Sequence, residues 1–305
     1  MNLARLRALT LGSTLLSAIG TSAALAEEKP AAAPDAPAKP VFTGHIDLVS
    51  KYILRGASTT YGNTYPGGTN VLADAPESDQ PVLQWGVDYV LPNGFYLGYW
   101  ASRINYSYKR LGESYSDRTV SNFQDNKSIE NDIYGGYSGS LGAFTYTLGL
   151  IGYVYINGKH ADAVETRIGL GYGPFAVNAQ TLLNDVVWGN RRDTYWTLNY
   201  THALPFDINF TGSLGYYTYA KEGKFLGTRD TFSGVDCAPN GAFIVNGCYV
   251  GNRPISGGFR HLILGVTGPI GASGFVWGLQ GLIPGETRYG VRQAGRLIGS
   301  LGFTF

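Results

Sequence analysis

The sequence predicts an all-β protein, a transmembrane antiparallel up-and-down β-barrel of about twelve strands with long extracellular loops and short periplasmic turns. The first observation behind this prediction is a succession of segments, each roughly ten residues long, in which apolar and polar side chains alternate. The second is that the connections between these segments alternate in length. The third is composition, since 43 Gly, 22 Tyr and 14 Phe accompany only 15% charged residues.

The beginning of the chain predicts export. Arg5 and Arg7 precede a short apolar run, and Ala24-Leu25-Ala26 resembles a cleavage site, so residues 1–26 are expected to be a signal peptide. The alternative is a single membrane anchor, for which the apolar run is short. Residues 27–40 are rich in Pro and Ala and predict a periplasmic tether. Residues 41–305 keep the same alternating pattern throughout and predict a single barrel domain.

Net charge argues against a nucleic-acid partner. Without Arg5 and Arg7, 21 of the 23 Lys and Arg remain beside 22 Asp and Glu, which gives a net charge of −1. Phosphate binding needs a basic stripe that this balance does not supply. The rest of the chain also has no apolar run long enough for a membrane-spanning helix.

Alternation predicts each strand in turn. The first strand is expected to turn an apolar face to lipid, formed by Phe42, Gly44, Ile46, Leu48, Tyr52 and Leu54. The fifth is the most regular, with Phe144, Leu148 and Leu150 opposite Thr145, Thr147 and Gly149. The twelve predicted strands are 42–55, 81–91, 94–108, 128–138, 142–156, 163–172, 175–183, 194–202, 205–219, 258–268, 273–283 and 295–305.

The connections predict how the barrel is oriented. "LPNG", "SGSLG", "GYGP", "HALP" and "GPIGAS" are short and turn-like, whereas the intervening loops are mostly long and polar. This layout is typical of outer-membrane barrels, and an even strand count returns both chain ends to the periplasm. A periplasmic girdle of aromatic residues is expected at Phe42, Tyr137, Phe144, Tyr172, Phe175, Phe206, Phe303 and Phe305. The alternative is a soluble β-sandwich or lipocalin-like barrel, which also alternates.

The two cysteines, Cys237 and Cys248, lie in one polar, Gly-rich loop. In an exported protein, a structural disulfide is the simplest expectation. A metal site would need more ligands than this stretch offers, since it contains no His and its one nearby acid is Asp236.

Several stretches resemble the TorF-like family of outer-membrane porins, among them "LVSKYILRGAS", "QPVLQWGVDYVLPNGFYLGYWAS" and "IENDIYGGYSG". The most specific pieces are Tyr52 with Arg55-Gly56, and Gly94-Phe95-Tyr96 with Trp100-Ala101-Ser102. The resemblance covers nearly the whole chain from Thr43 and implies a single-chain outer-membrane barrel with pore activity. It implies no catalytic motif. The loops at 56–80 and 220–257 look longer than the family needs, and either could narrow the mouth or bind a ligand.

The sequence predicts no enzyme and no cofactor. It contains no G-x-S-x-G elbow, no H-E-x-x-H, no C-x-x-C and no phosphate-binding G-x-x-x-x-G-K motif. A lipid hydrolase would need a Ser and a His brought together from distant positions. That remains the less favoured alternative.

Polar residues on the predicted lumen face are the candidate pore lining. They are Asp47, Lys51, Arg55, Gln84, Asp88, Glu130, Asp132, Glu165, Arg167, Asn178, Gln180 and Arg296. Lys51, Arg55 and Arg296 come from strands one and twelve, and Asp88, Glu130 and Asp132 from strands two and four. This distribution predicts a basic wall facing an acidic one, with weak overall charge selectivity. The alternative is that these charges pair with one another inside a plugged lumen.

The predicted function is a narrow channel in a Gram-negative outer membrane through which small hydrophilic solutes or ions diffuse passively. The alternative is a closed structural or adhesive barrel whose external loops bind a partner. Expected partners are outer-membrane lipids, the solutes, and the barrel assembly machinery, which would read the terminal strand through Phe305.

Overall fold

The computed structural model describes residues 39–58, 76–117, 119–120, 123, 125–230, 233–237, 255–288 and 292–305. These residues form a closed barrel of twelve antiparallel strands, each paired with its neighbours in the chain, and β1 pairs with β12 to close it. The strands are β1 Val41–Val49, β2 Val82–Val90, β3 Phe95–Arg103, β4 Ile129–Leu141, β5 Phe144–Ile156, β6 Ala163–Tyr172, β7 Phe175–Leu182, β8 Thr194–Ala203, β9 Asn209–Thr218, β10 Gly257–Pro269, β11 Phe275–Pro284 and β12 Arg296–Thr304. The predicted fold class is confirmed.

Alternation determines which face each side chain occupies. On β5, Leu148 and Leu150 are exposed on the outer face, whereas Thr147, Ile151 and Tyr153 are buried on the inner face. The barrel is therefore apolar outside and carries its polar residues inside. Among the described residues, no helix has the length and apolar character that a membrane span requires.

The two ends of the barrel differ. At one end, called the turn end, the connections are as short as residues 142–143 and 173–174. At the other, called the loop end, they include residues 104–128, which contain helix α1, Tyr108–Ser114. The predicted alternation of short and long connections is confirmed by these positions.

Three predicted strands are too long. The first ends at Val49 rather than residue 55, and the third ends at Arg103 rather than residue 108, where α1 begins. The ninth begins at Asn209 rather than residue 205. The chain leaves the wall after β1, enters the lumen and then reverses at Arg55 and Gly56, which both have positive φ angles, 49° and 76°. Tyr52 therefore does not face lipid as predicted but is completely buried.

Loop residues fill the loop-end half of the lumen. Residues 50–58, called here the inner segment, pack there against residues of α1 and of the other loops. The buried cluster includes Tyr52, Ile53, Tyr106, Tyr108, Leu111, Phe123 and Phe225. The core of this protein is thus inside the barrel, at one end. The predicted signal peptide, most of the tether, part of the 56–80 loop and Cys248 lie outside the described residues.

Candidate functional site

Arg55 lies at the centre of the lumen, bonded across it to Glu165 on β6. Its Nη2 is 2.5 Å from Glu165 Oε2 and its Nη1 is 2.9 Å from Oε1. Arg55 also donates to the Tyr217 and Tyr153 hydroxyls and to Gln180 Oε1, at 2.7, 3.1 and 3.1 Å. A bidentate, buried arginine with five acceptor contacts is a fixed crosslink between the inner segment and the wall.

The backbone of the inner segment is also fixed to the barrel. Arg260 Nε donates to the carbonyl of Arg55 at 3.1 Å. Gly56 packs so closely that a Cβ there would lie 2.8 Å from the carbonyl oxygen of Arg260. Its positive φ and this close approach both require glycine.

A β-bulge explains why Arg260 lies inside. The register between β10 and β9 shifts between Phe259 and His261, so the adjacent residues Arg260 and His261 are both buried, 2% and 0% exposed. His261 Nε2 lies 2.7 Å from the Tyr195 hydroxyl, and the ring of Tyr195 lies 4.7 Å from the Arg55 guanidinium. The bulge thus brings an additional cation into the lumen.

A set of acidic residues also lies inside the barrel, in addition to the Arg55–Glu165 pair. Glu130 on β4 accepts hydrogen bonds from Tyr52 and Tyr155, at 2.9 and 3.0 Å. Glu77, from the loop between β1 and β2, accepts from Tyr108 at 2.8 Å. Asp132 lies on β4 one inward-facing position nearer the turn end. We call Glu77, Glu130 and Asp132 the acidic cluster.

The pKa of Glu77 reflects its surroundings. Burial raises this pKa well above the usual range, the neighbouring Glu130 raises it further, and the hydrogen bond from Tyr108 lowers it. Burial also raises the pKa of Tyr108. Both groups are therefore held toward their neutral forms.

Much of the remaining inner wall is lined by small polar residues and glycine. One oblique row of cross-strand neighbours runs over five strands through Ser138, Thr147, Gly169, Asn178 and Thr197. Tyrosine rings lie flat on glycines elsewhere on this wall: a Cβ on Gly98 would be 2.2 Å from the Tyr134 ring. The row itself is polar and consists of small side chains.

The predicted lumen residues divide into those that meet and those that do not. Arg55, Glu165 and Gln180 are brought together, and Asp88 accepts from Tyr134, whose ring lies 5.5 Å from the Arg167 guanidinium. Gln84 bonds Ser102, Asn178 bonds Thr197 and Asp47 bonds His45 within the wall. Lys51 and Arg296 instead bind main-chain carbonyls of Asp79 and Ser58 at the loop end.

The prediction that a basic wall faces an acidic wall across the lumen is wrong. Arg55 does not lie on the β1 wall, because the strand has already ended and the side chain crosses the lumen to Glu165. Lys51 is also beyond β1. Of the predicted charges, Arg55 and Glu165 pair across the lumen.

Sequence reasoning missed several lumen residues. Arg260 was missed because strict alternation cannot anticipate a bulge. Arg288, which binds Asp193 at 2.5 Å in a buried ion pair, and Glu77 were missed because they lie on loops without periodicity. Buried ionisable residues of this kind leave no local signal in the sequence.

Cys237 is disulfide-bonded, and the chain contains one other cysteine, Cys248. Because Cys248 lies outside the described residues, the geometry of the predicted pair is not described.

The barrel is similar in fold to solved outer-membrane proteins, at low identity. Outer membrane phospholipase A from Escherichia coli is 11% identical, with a TM-score of 0.36 over 87% of this chain and 96% of that chain. A Pseudomonas aeruginosa FadL homologue is 9% identical, with a TM-score of 0.34 over 88% and 90%. Pseudomonas aeruginosa OccK1 (OpdK) is 9% identical, with a TM-score of 0.33 over 77% and 59%.

No curated protein matches the sequence. The resemblance to TorF-like porins stays a prediction, because the comparisons do not identify that family. Residues 31–254 match the family described as "Bacterial protein of unknown function (Gcw_chp)", and this chain belongs to that family.

Proposed function

We propose that this chain is an outer-membrane channel of narrow bore, through which small hydrophilic solutes or ions diffuse passively. The observation that carries the proposal is the inner wall of small polar residues and glycine behind an apolar outer face. A barrel built in this way presents apolar side chains to lipid and polar groups to water. The proposal requires no cofactor. The resemblance to TorF-like porins agrees with it.

The outer face supports a membrane position. Exposed aliphatic side chains such as Ile46, Leu97 and Leu148 cover it, and the closed barrel leaves no unpaired strand edge. Aromatic side chains concentrate toward the turn end: Phe42, Phe95, Phe144, Tyr172, Phe175, Phe206, Phe275 and Phe305 are exposed. We infer that lipid surrounds this face, with the turn end in the periplasm. Recognition of Phe305 by assembly machinery is part of the same proposal.

The inner segment would be the constriction of this channel. Arg55 and Glu165 are 4% and 0% exposed, so the described residues leave little room for water around the pair. Low resting conductance is therefore expected, and passage requires the inner segment to move. Breaking the Arg55–Glu165 pair should facilitate that movement.

The same buried pair favours a second candidate function. A barrel whose lumen is permanently filled at the loop end would be a structural scaffold, with external loops that bind a partner. The two functions differ in one measurable property, because only the channel conducts when the inner segment is released.

The proposal contains no catalytic step. His45 is bonded to Asp47 and His261 to Tyr195, both on the inner face and away from the lipid. A phospholipid-hydrolysis assay of the refolded protein should give the background rate. Hydrolysis that is lost in a single Ser or His variant would contradict this part of the proposal.

Planar-bilayer recording of the refolded protein tests the channel. We expect small, infrequent conductance events for the wild type and larger or more frequent ones for Glu165→Gln, which frees Arg55 without changing the size of the side chain. Arg229→Ala, which removes a solvent-exposed ion pair to Asp236, is the matched control and should behave as wild type.

An Arg296→Glu variant adds a test of the loop-end mouth, where ion selectivity should shift toward cations. Folding of every variant is checked first by its heat-modifiable mobility in gels. If neither the folded wild type nor folded Glu165→Gln conducts in the bilayer, the channel proposal is rejected and the closed scaffold is supported.

A further inference from the structure

A small cavity at the loop end of the lumen is bordered by three arginines. Arg55, Arg260 and Arg288 all lie on its wall, and they are 4%, 2% and 3% exposed. They come from the inner segment, from the bulge of β10 and from the loop after β11. The cavity has a volume of about 40 Å³, which is enough for about three waters or for one small polyatomic ion. The fold thus collects three cations from distant parts of the chain around one space.

Two stacked tyrosine rings hold these arginines in place. The rings of Tyr217 and Tyr219, which also border the cavity, are 4.8 Å apart and nearly parallel, at 11°. The guanidinium groups of Arg260 and Arg55 lie 5.7 and 5.9 Å from the Tyr217 ring. That of Arg288 lies 4.7 Å from the Tyr219 ring. Contacts with ring faces orient the planar cations, but they do not neutralise the charge.

Within the described part of the chain, carboxylates pair with two of the three cations. Arg55 is bound to Glu165, and Arg288 is bound to Asp193 at 2.5 Å. The described hydrogen bonds of Arg260 are to main-chain carbonyl oxygens, at 3.1 and 3.2 Å. Carbonyl oxygens satisfy the N–H groups of a cation but carry no net charge.

Glu77 also borders the cavity, and its carboxyl is held toward the neutral form. Burial raises its pKa well above the usual range, and the neighbouring Glu130 raises it further. Its Oε1 accepts a hydrogen bond from Tyr108, whereas its Oε2 is buried and has no partner among the described residues. A neutral Glu77 leaves the positive charge of the cavity wall in excess, and its unused carboxyl oxygen can carry an O–H donor.

A small carboxylate anion matches these features. Guanidinium groups donate paired N–H bonds to the two oxygens of a carboxylate, which a chloride ion lacks. Arg288 uses Nη1 for Asp193 and Nη2 for the carbonyl of Ala220, and its buried Nε is a further donor. Positive charge in excess inside a protein is costly until an anion lies beside it.

We propose that this cavity binds a small carboxylate such as formate or acetate, with Arg260 and Arg288 as the groups that hold it. The channel would then favour small organic anions among its solutes. The inference deepens the proposed function and rests on it for the route of the anion, but binding itself does not depend on conduction.

Thermal unfolding of the refolded protein in detergent micelles, followed by tryptophan fluorescence, tests the site. Sodium formate is the probe, and sodium chloride at the same concentrations is the reference salt. A ligand that binds only the folded state raises the unfolding temperature. We therefore expect formate to raise this temperature to a plateau, and chloride to produce no such saturable rise.

Two variants remove the site in different ways. Arg260→Gln removes one cation and should increase the formate concentration for the half-maximal effect about tenfold or more, because a charge-assisted hydrogen bond is lost. Ala57→Val keeps all three arginines but fills the cavity, since Ala57 is buried on its wall, and should abolish the rise. Arg229→Gln is the matched control, because that arginine forms an exposed ion pair, and it should respond as wild type.

The site is rejected if folded wild type responds equally to formate and chloride, or if the formate effect is unchanged in Ala57→Val. If Arg260→Gln does not fold, the comparison of wild type with Ala57→Val decides. Saturable stabilisation by formate without conductance in the bilayer would retain the site and reject the channel. Conductance without stabilisation by formate would retain the channel and reject the site.

Discussion

The aromatic ring of Phe305 lies directly over Gly44, and the two residues exchange main-chain hydrogen bonds of 2.8 and 2.9 Å. A Cβ at Gly44 would lie 2.5 Å from two carbons of that ring. The contact is at the seam between β1 and β12, where the barrel closes. Glycine at this position is therefore part of the closure.

Substitution at Gly44 should weaken the seam. Gly44→Ala forces the Phe305 ring away and is expected to lower the free energy of unfolding by about 1–3 kcal/mol. Gly299→Ala is the matched control, because nothing lies within 4 Å of a Cβ there. The temperature at which the folded gel band is lost measures both. Equal stability of the two variants would contradict the contact.

Loss of one member of the Arg55–Glu165 pair should be strongly destabilising. Arg55→Ala leaves Glu165 charged, buried and unpaired, so we expect a loss of about 3–5 kcal/mol. Urea unfolding in micelles, followed by tryptophan fluorescence, measures it. Arg229→Ala should change stability by less than about 1 kcal/mol, since that pair is exposed. An Arg55→Ala effect as small as that of the control would disprove the crosslink.

Stability should fall as pH rises, because of Glu77. Burial raises the pKa of Glu77 in the folded state, so the folded protein keeps a proton that the unfolded chain releases above pH of about 4.3. The contribution of Glu77 to the free energy of unfolding is fully present below that pH. It is lost as the pH rises through the pKa that Glu77 has in the folded protein. Urea midpoints measured from pH 4 upward should show this decline, and Glu77→Gln should flatten it.

Asp117 provides the control for the pH series. Hydrogen bonds from Thr119 lower its pKa, so its contribution is present at neutral pH and is lost only as pH falls. Asp117→Asn should therefore leave the slope above pH 5 unchanged. If the decline in stability above pH 5 disappears in Asp117→Asn but persists in Glu77→Gln, the assignment of this decline to Glu77 is wrong.

The Cys237–Cys248 pairing gives a prediction for the loop end alone. Non-reducing peptide mapping should recover both cysteines in one linked peptide. Reduction should leave the barrel folded, since the bond closes a short segment within one loop. Loss of the heat-modifiable band on reduction would show that the loop is coupled to the wall.

The regular strands could be predicted from the sequence, whereas the path of the inner segment and its partners in the lumen could not. β5 was predicted correctly because both of its faces keep a period of two from Phe144 to Ile156. The inner segment was predicted as strand because Tyr52 and Leu54 continue the alternation of β1, although Arg55 and Gly56 then reverse the chain by positive φ. Glu165 was predicted to face the lumen, but its partner Arg55 is 110 residues away in sequence.

The location of the inner segment restricts the order in which the protein can assemble. Residues 50–58 precede β2 in the chain, yet Arg55 is bonded to side chains of β5, β6, β7 and β9. We expect the later strands to close round a peptide that already occupies the interior, before the β1–β12 seam forms. Closure of the cylinder would then depend on correct placement of the inner segment, and we expect a chain with a misplaced inner segment to remain an open, curved sheet.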